Sequence, residues 1–399
     1  MLVRAIVIGL LFWVTASPLL AGKWSGYVAG EFRWFPNDPS DPLQYKDTNL
    51  SAAFRPEYAH QWDKGRQSFS FIAFGRVDQH DDERTHGDIR ELLYIKAAEN
   101  WELQAGVGKE YWAVTEFRRL TDIINQDDEV EVPDRREKLG QPMVNFALVQ
   151  DWGTLGFYVL PYFRERTFPG VEGRLRTIPR VDVDNPVYES PDEDKHVDYA
   201  LRYAHTLNEW DVGLYYFDGT GRDPRLVPGL NSSGEVVLIP HYDLIEQYGL
   251  DLQGTFEEWL WKLEAIHRSG QGPDPRFWSA SGGFEYTFFG VKQSAVDVGL
   301  LVEYIWDERG RNATTPFAND WFVATRITLN DVDSSELLAG FVIDGSSQAH
   351  SLYVQGSRRF GGNWKLDLTA RTFQNLTPAD PGYSFRNDDY VQLQLFYYF

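Results

Sequence analysis

A chain of 399 residues with 59 acidic and 38 basic side chains carries a formal charge of −21, which argues against a nucleic-acid partner. It has no cysteine, so disulfides play no part in its stability. A mean hydropathy of −0.41 is too polar for a bundle of membrane helices, yet suits a barrel in which only alternate strand residues meet lipid.

The amino terminus reads as an export signal. Arg4 precedes an apolar run at 5–14 and the small residues Thr15, Ala16 and Ser17, a pattern too short and wrongly flanked for a spanning helix. Cleavage is expected after Ala21, with Ala16 the other candidate, which assigns 1–21 to the signal and 22–399 to one domain. No cysteine follows the apolar run, so a lipoprotein anchor is not expected. No other apolar run approaches the roughly 18 residues of a membrane helix; a membrane location therefore requires a closed barrel.

Period-two apolar content then recurs along the chain. At 26–35, Val28, Gly30, Phe32 and Trp34 alternate with Tyr27, Glu31 and Arg33. The next segments are 50–62, with Arg55 and Glu57 on its polar face, and 68–77, where Phe69, Phe71, Ala73 and Val77 oppose Ser68, Ser70 and Arg76. Asp63-Lys64-Gly65-Arg66 between them reads as a tight turn. Segments 89–98 and 101–108 form a hairpin across Glu99-Asn100. A long connection at 110–140 leads to 142–150 and 154–163, and a second long, acidic connection occupies 164–196. Strands at 197–204 and 210–217 precede a Gly- and Pro-rich loop reaching Tyr242. The remaining strands are expected at 244–254, 259–268, 277–288, 294–306, 321–329, 337–343, 352–359, 364–373 and 390–399. The count is about 18, with 16 as the alternative, and the connections alternate long and short as in transmembrane barrels.

The final segment, 390–399, reads YVQLQLFYYF. Val391, Leu393, Leu395, Tyr397 and Phe399 share one face, and the chain stops on the aromatic Phe399. A soluble edge strand so apolar on one face would invite aggregation. The pattern resembles the last strand of Gram-negative outer-membrane β-barrel proteins. The resemblance implies an all-β, transmembrane antiparallel barrel in the outer membrane, reached through the periplasm. It further implies that the five apolar residues are an address for the barrel-assembly machinery, and that membrane lipid and lipopolysaccharide are neighbours. It does not identify an activity.

Lipid-facing strand surfaces must be apolar, because a charge at the bilayer midplane costs about 2–4 kcal/mol. The opposite faces here carry charges of both signs, and a barrel of 16–18 strands leaves an aqueous lumen. Trp24, Trp62, Trp101, Trp210, Trp259, Trp321, Trp364 and Tyr397 lie near strand ends, where aromatic girdles form. The connection at 110–140 is the candidate constriction. Thr115-Glu116 reads as a helix start, and Val114, Phe117, Leu120 and Ile124 recur at helical spacing. Arg118, Arg119, Asp122, Asp127 and Asp128 are expected at the narrowing, with Arg76, Arg326 and Arg371 on the wall. The other reading of this segment is a loop packed at the rim.

Catalytic patterns are missing. There is no G-x-S-x-G, H-E-x-x-H or Walker loop, since Gly219-Thr220-Gly221-Arg222 lacks the lysine and spacing. His80 and His86, six apart around Asp81, Asp82 and Glu83, do not match a zinc spacing. Asp182, Asp184 and the 192–194 acids do not follow the EF-hand order. The sequence thus points to a porin-like channel for passive diffusion of small hydrophilic solutes, without catalytic residue, metal or cofactor. The alternatives are a loop-plugged barrel that anchors or binds at the surface and, in third place, a barrel hydrolase.

Overall fold

The computed structural model describes residues 22–131, 137–274 and 276–399. The leader at 1–21 lies outside the described residues. Twenty-one strands are numbered in chain order: β1 Lys23–Trp34, β2 Thr48–Trp62, β3 Gln67–Asp78, β4 Gly87–Ala97, β5 Trp101–Gly108, β6 Gln141–Gln150 and β7 Gly153–Leu160. Then follow β8 Val187–Tyr188, β9 Asp198–Leu207, β10 Trp210–Thr220, β11 Arg225–Leu230, β12 Val236–Tyr242, β13 Leu244–Phe256 and β14 Trp259–Ser269. The last seven are β15 Arg276–Phe288, β16 Asp297–Asp307, β17 Asn319–Thr328, β18 Glu336–Asp344, β19 His350–Phe360, β20 Trp364–Arg371 and β21 Tyr390–Tyr398.

Eighteen of them form one antiparallel sheet. Each barrel strand pairs with its barrel neighbours in the sequence, and β1 pairs with β21 from Tyr27↔Tyr398 to Trp34↔Val391, which closes the sheet on itself. The expected final strand is therefore the seam of the barrel, and closure leaves no edge for a second chain to extend. One end carries tight turns, such as Asp63–Gly65 and the two residues between β9 and β10. Asn208 and Glu257 there adopt φ of 55° and 52°, the left-handed conformation that two-residue hairpins require. The other end carries the long connections.

The pleat sorts side chains as the period-two pattern requires. Val28, Phe32, Leu50, Phe54, Leu263, Leu300, Leu393 and Leu395 are exposed on the outside. Trp24, Trp62, Trp259, Trp364 and Tyr397 ring the turn end, and Trp34, Trp278, Trp306 and Trp321 ring the loop end. Among the described residues no helix is long and apolar enough to cross a membrane.

Two local departures shape the interior. The β3–β4 register slips between Ile72 and Ala73, which face Glu91 and Ile89 and leave Arg90 as a bulge; the bulge turns Arg90 towards the lumen. The strand expected at 154–163 ends at Leu160. Phe163 instead packs edge-on to Tyr242 with ring centroids 4.9 Å apart. The Gly- and Pro-rich loop before Tyr242 also contains the hairpin β11–β12, with β8 added in parallel. Pro228, Gly229 and Pro240 obscured its alternation in the sequence.

Candidate pore and its inward segment

The connection between β5 and β6 does not stay at the rim. Residues 109–131 run along the inner wall from β7 to β17 and return to β1–β4 before 137–140 rejoin β6. Trp112 lies 5.5 Å from Tyr158 and 5.0 Å from Tyr215 by ring centroids. With Ile123 and Ile124 it belongs to a buried cluster that includes Met143, Leu160, Phe217 and Ile245 from the wall. Phe117 stacks on Phe322 at 5.0 Å and meets Phe317 edge-on at 4.9 Å. The apolar residues of the segment thus bury against apolar residues on the lumen face.

The expected helix does not form. Two wall carboxylates take the segment's backbone donors instead. Glu264 Oε1 accepts from the amides of Val114 (2.8 Å) and Thr115 (2.7 Å), and Oε2 from those of Leu120 (2.7 Å) and Thr121 (3.0 Å). Glu303 accepts from the amides of Glu116 (2.7 Å) and Phe117 (2.9 Å). Within the segment, Asp122 Oδ1 accepts from Trp112 and Ala113, and Asn125 ties the two ends through Glu110, Gly108 and Leu139. Bonds to an ionised acceptor are about twice as strong as the neutral i→i−4 bonds they replace, and every buried donor must find a partner. The carboxylates therefore outcompete the helix.

The returning limb is held by ions. Glu131 receives Arg76 Nε at 2.7 Å and Nη2 at 2.7 Å, and lies 3.0 Å from His86 Nε2. Arg33 donates to the Glu131 carbonyl at 3.2 Å. Burial alone would raise the Glu131 carboxyl; Arg76, His86 and Arg84 together outweigh it and hold it far below the usual range. Asp128 pairs with Arg90 and accepts from Thr167, and Asp127 pairs with Lys138 at 2.5 Å and Arg166 at 3.1 Å. Near the outgoing limb, burial pushes the Glu110 carboxyl up to about 7, with Glu102 adding and Trp112 and Arg202 opposing.

A second connection, between β7 and β9, crosses the loop end to the far rim. Arg174 is fully enclosed there. It donates to Asp388 Oδ1 at 2.7 Å and to the carbonyls of Lys46 and Asn387, with Phe35 under its guanidinium at 4.5 Å. Leu175 beside it packs with Phe35, Tyr45 and Tyr390. Under this strap lies a cavity of about 930 Å³, bounded by the inward segment, β14–β20 and the loop-end connections.

The expected site residues separate into two groups. Arg118, Arg119 and Asp122 of the inward segment line the cavity, as does Arg371; Arg371 lies 4.6 Å over the Tyr353 ring. Arg326 faces the lumen between Glu285 (3.0 Å) and Glu116 (2.8 Å). Arg76 and Asp128 are instead buried at 5% and 0% exposure inside the ion network, and Asp127, though it borders the cavity, is 6% exposed and bound by Lys138 and Arg166. The sequence alone does not mark Glu264, Glu303 and Arg174 as anchors. A long connection rich in unpaired donors requires buried acceptors, and the inward-facing acids of β14 and β16 were the available ones.

No family model matches the chain, and no curated protein does either. Solved structures similar to it include two engineered variants of the porin from Rh. blastica, each at 11% identity and a TM-score of 0.48, with 95% of this chain and all of the other covered. A third, described under asymmetric conductivity of engineered proteins, has the same identity and coverage at a TM-score of 0.47. These likenesses are of fold.

Proposed function

We propose that the protein is an outer-membrane porin-like channel through which small hydrophilic solutes diffuse passively. The observation that carries this reading is the seat of the inward segment. It packs on the wall from β7 to β17, and it borders a cavity of about 930 Å³ under the strap. Arg118, Arg119, Asp122, Arg326 and Arg371 are the residues assigned to contact solute at the narrowing. Arg76, Asp127 and Asp128 act one step back, by fixing the returning limb. Selection is by size and local field, not by bond-making chemistry. The apolar outer band supports an outer-membrane location reached through the periplasm, with lipid and lipopolysaccharide against the rims. The seam strand, through Val391, Leu393, Leu395, Tyr397 and Phe399, is assigned as the signal for the assembly machinery.

Refolded protein in a planar bilayer tests this directly. A steady open current, with swelling of proteoliposomes in small sugars, is the expected result. A folded, heat-modifiable barrel without current would overturn it in favour of a barrel plugged by its loops. The strap tied at Arg174 is the feature that favours that second reading.

A further inference from the structure

The wall holds 114–121 through Glu264 and Glu303, and 127–131 through the ion network on β1–β4. The start of the inward segment, 109–113, is held differently. Its hydrogen bonds to Asp122 and Asn125 and the ion pair of Lys109 with Glu137 are internal to the connection and move with it. Its seat on the wall is Trp112, which is buried against Tyr158 and Tyr215. The guanidinium of Arg202 lies over the same indole, 4.7 Å from the ring centroid.

Arg202 is itself clamped. It donates to both oxygens of Asp251, at 2.8 and 2.9 Å. A two-pronged bond of this kind fixes the plane of the guanidinium as well as its place, and leaves a flat face for the indole. The two partners stand on β9 and β13 with β10 between them, about 10 Å apart at the backbone. They meet above Gly213, the β10 residue paired with Asp251. A Cβ at 213 would come within 2.3 Å of Asp251 and 2.5 Å of Arg202, so any larger residue pushes the pair off the wall. The side chains of Arg202 and Asp251 are 14% and 8% exposed, and a pair this enclosed is only weakly screened by salt.

We propose that Arg202 is a positioning residue for the aperture: clamped by Asp251 over Gly213, it orients Trp112 and so fixes where the outgoing limb of the inward segment lies. This rests on the channel reading above. The flat, forked shape of the side chain does the positioning, and its charge alone does not suffice. Lysine carries the same charge without the fork or the face.

Single-channel recording of the full barrel reads the seat as the share of open time spent away from the main conductance level. Arg202→Gln and Arg202→Lys should each raise that share by roughly two- to fivefold, the scale of one cation–π contact. Gly213→Ala, which keeps Arg202 but dislodges its fork, should do the same, and Trp112→Leu should do at least as much. The double variant Arg202→Gln/Trp112→Leu should go no further than Trp112→Leu alone, because both changes remove one contact. Arg202→Gln should also move upwards the pH at which Glu110 ionises, read from the pH dependence of the same recordings, since Arg202 opposes burial and Glu102 there. Arg202→Lys, which keeps the charge, should leave that pH in place. A role confined to barrel stability would shift the temperature of heat modification and not that pH. Full rescue by lysine, a silent Arg202→Gln or Gly213→Ala, or effects that multiply in the double variant would overturn the proposal. Hydrogen exchange on the unaltered protein tests the same seat where a variant does not assemble. There 109–113 should be as protected as 114–121, and fast exchange confined to 109–113 would overturn the proposal. Absence of any current from the folded, unaltered barrel would instead remove the channel reading, and the exchange result would still judge the seat.

Discussion

Among the described residues, Glu264 accepts more of the inward segment's backbone amides than any other wall side chain. It is fully buried, and its two oxygens accept from four backbone amides, two on each limb of a turn. Replacing it with alanine leaves those donors unpaired, at about 1–3 kcal/mol for each one that water does not reach. The amides of Val114, Thr115, Leu120 and Thr121 should then lose protection from hydrogen exchange while those of the barrel strands keep it. Glu110 gives the same segment a pH dependence. Its folded pKa of about 7 lies above the ordinary 4.5, so the native state binds the proton more tightly. The stability this contributes is full below pH 4.5 and is lost as pH rises through about 7. Open-channel noise should therefore increase across that window, and Glu110→Gln should abolish the increase. Noise that is flat with pH in the unaltered protein would contradict this seating of Glu110.

At the scale of elements, the strands were legible and the connections were not. The alternation in 26–35 or 259–268 dictates which face meets lipid, because a one-residue slip would turn every charge outwards. The spacing of Val114, Phe117, Leu120 and Ile124 was equally visible, and it correctly marked residues that need apolar cover. It misnamed their conformation, because the deciding partners, Glu264 and Glu303, are about 150 and 190 residues away along the chain, and propensity says nothing about them. The strap shows the same limit: nothing near Arg174 in the sequence announces Asp388. That pair lies over the β1–β21 seam, with Leu175 packed on Phe35 and Tyr390. Arg174→Ala leaves a buried carboxylate without its counter-ion, a loss of about 3–5 kcal/mol. The temperature at which the barrel converts to its slow-migrating unfolded form should fall. Arg358→Ala, in an exposed pair with Asp333, should leave it unchanged.

For the whole molecule, the barrel supplies a closed, apolar-skinned cylinder, and under the proposed function one connection has the task of deciding how much of its bore stays open. Closure through β1 and β21 leaves the barrel sheet without an edge, and the inward segment is held from inside, by anchoring carboxylates on β14 and β16 and an ion network on β1–β4. The most direct measurement is the single-channel conductance of Glu264→Ala/Glu303→Ala beside the unaltered protein, with heat-modifiability confirming that both are folded. A seated segment predicts a larger and noisier conductance in the double variant, since the segment loses its hold on the far wall. An unchanged conductance from a folded barrel would contradict the claim that this segment sets the aperture.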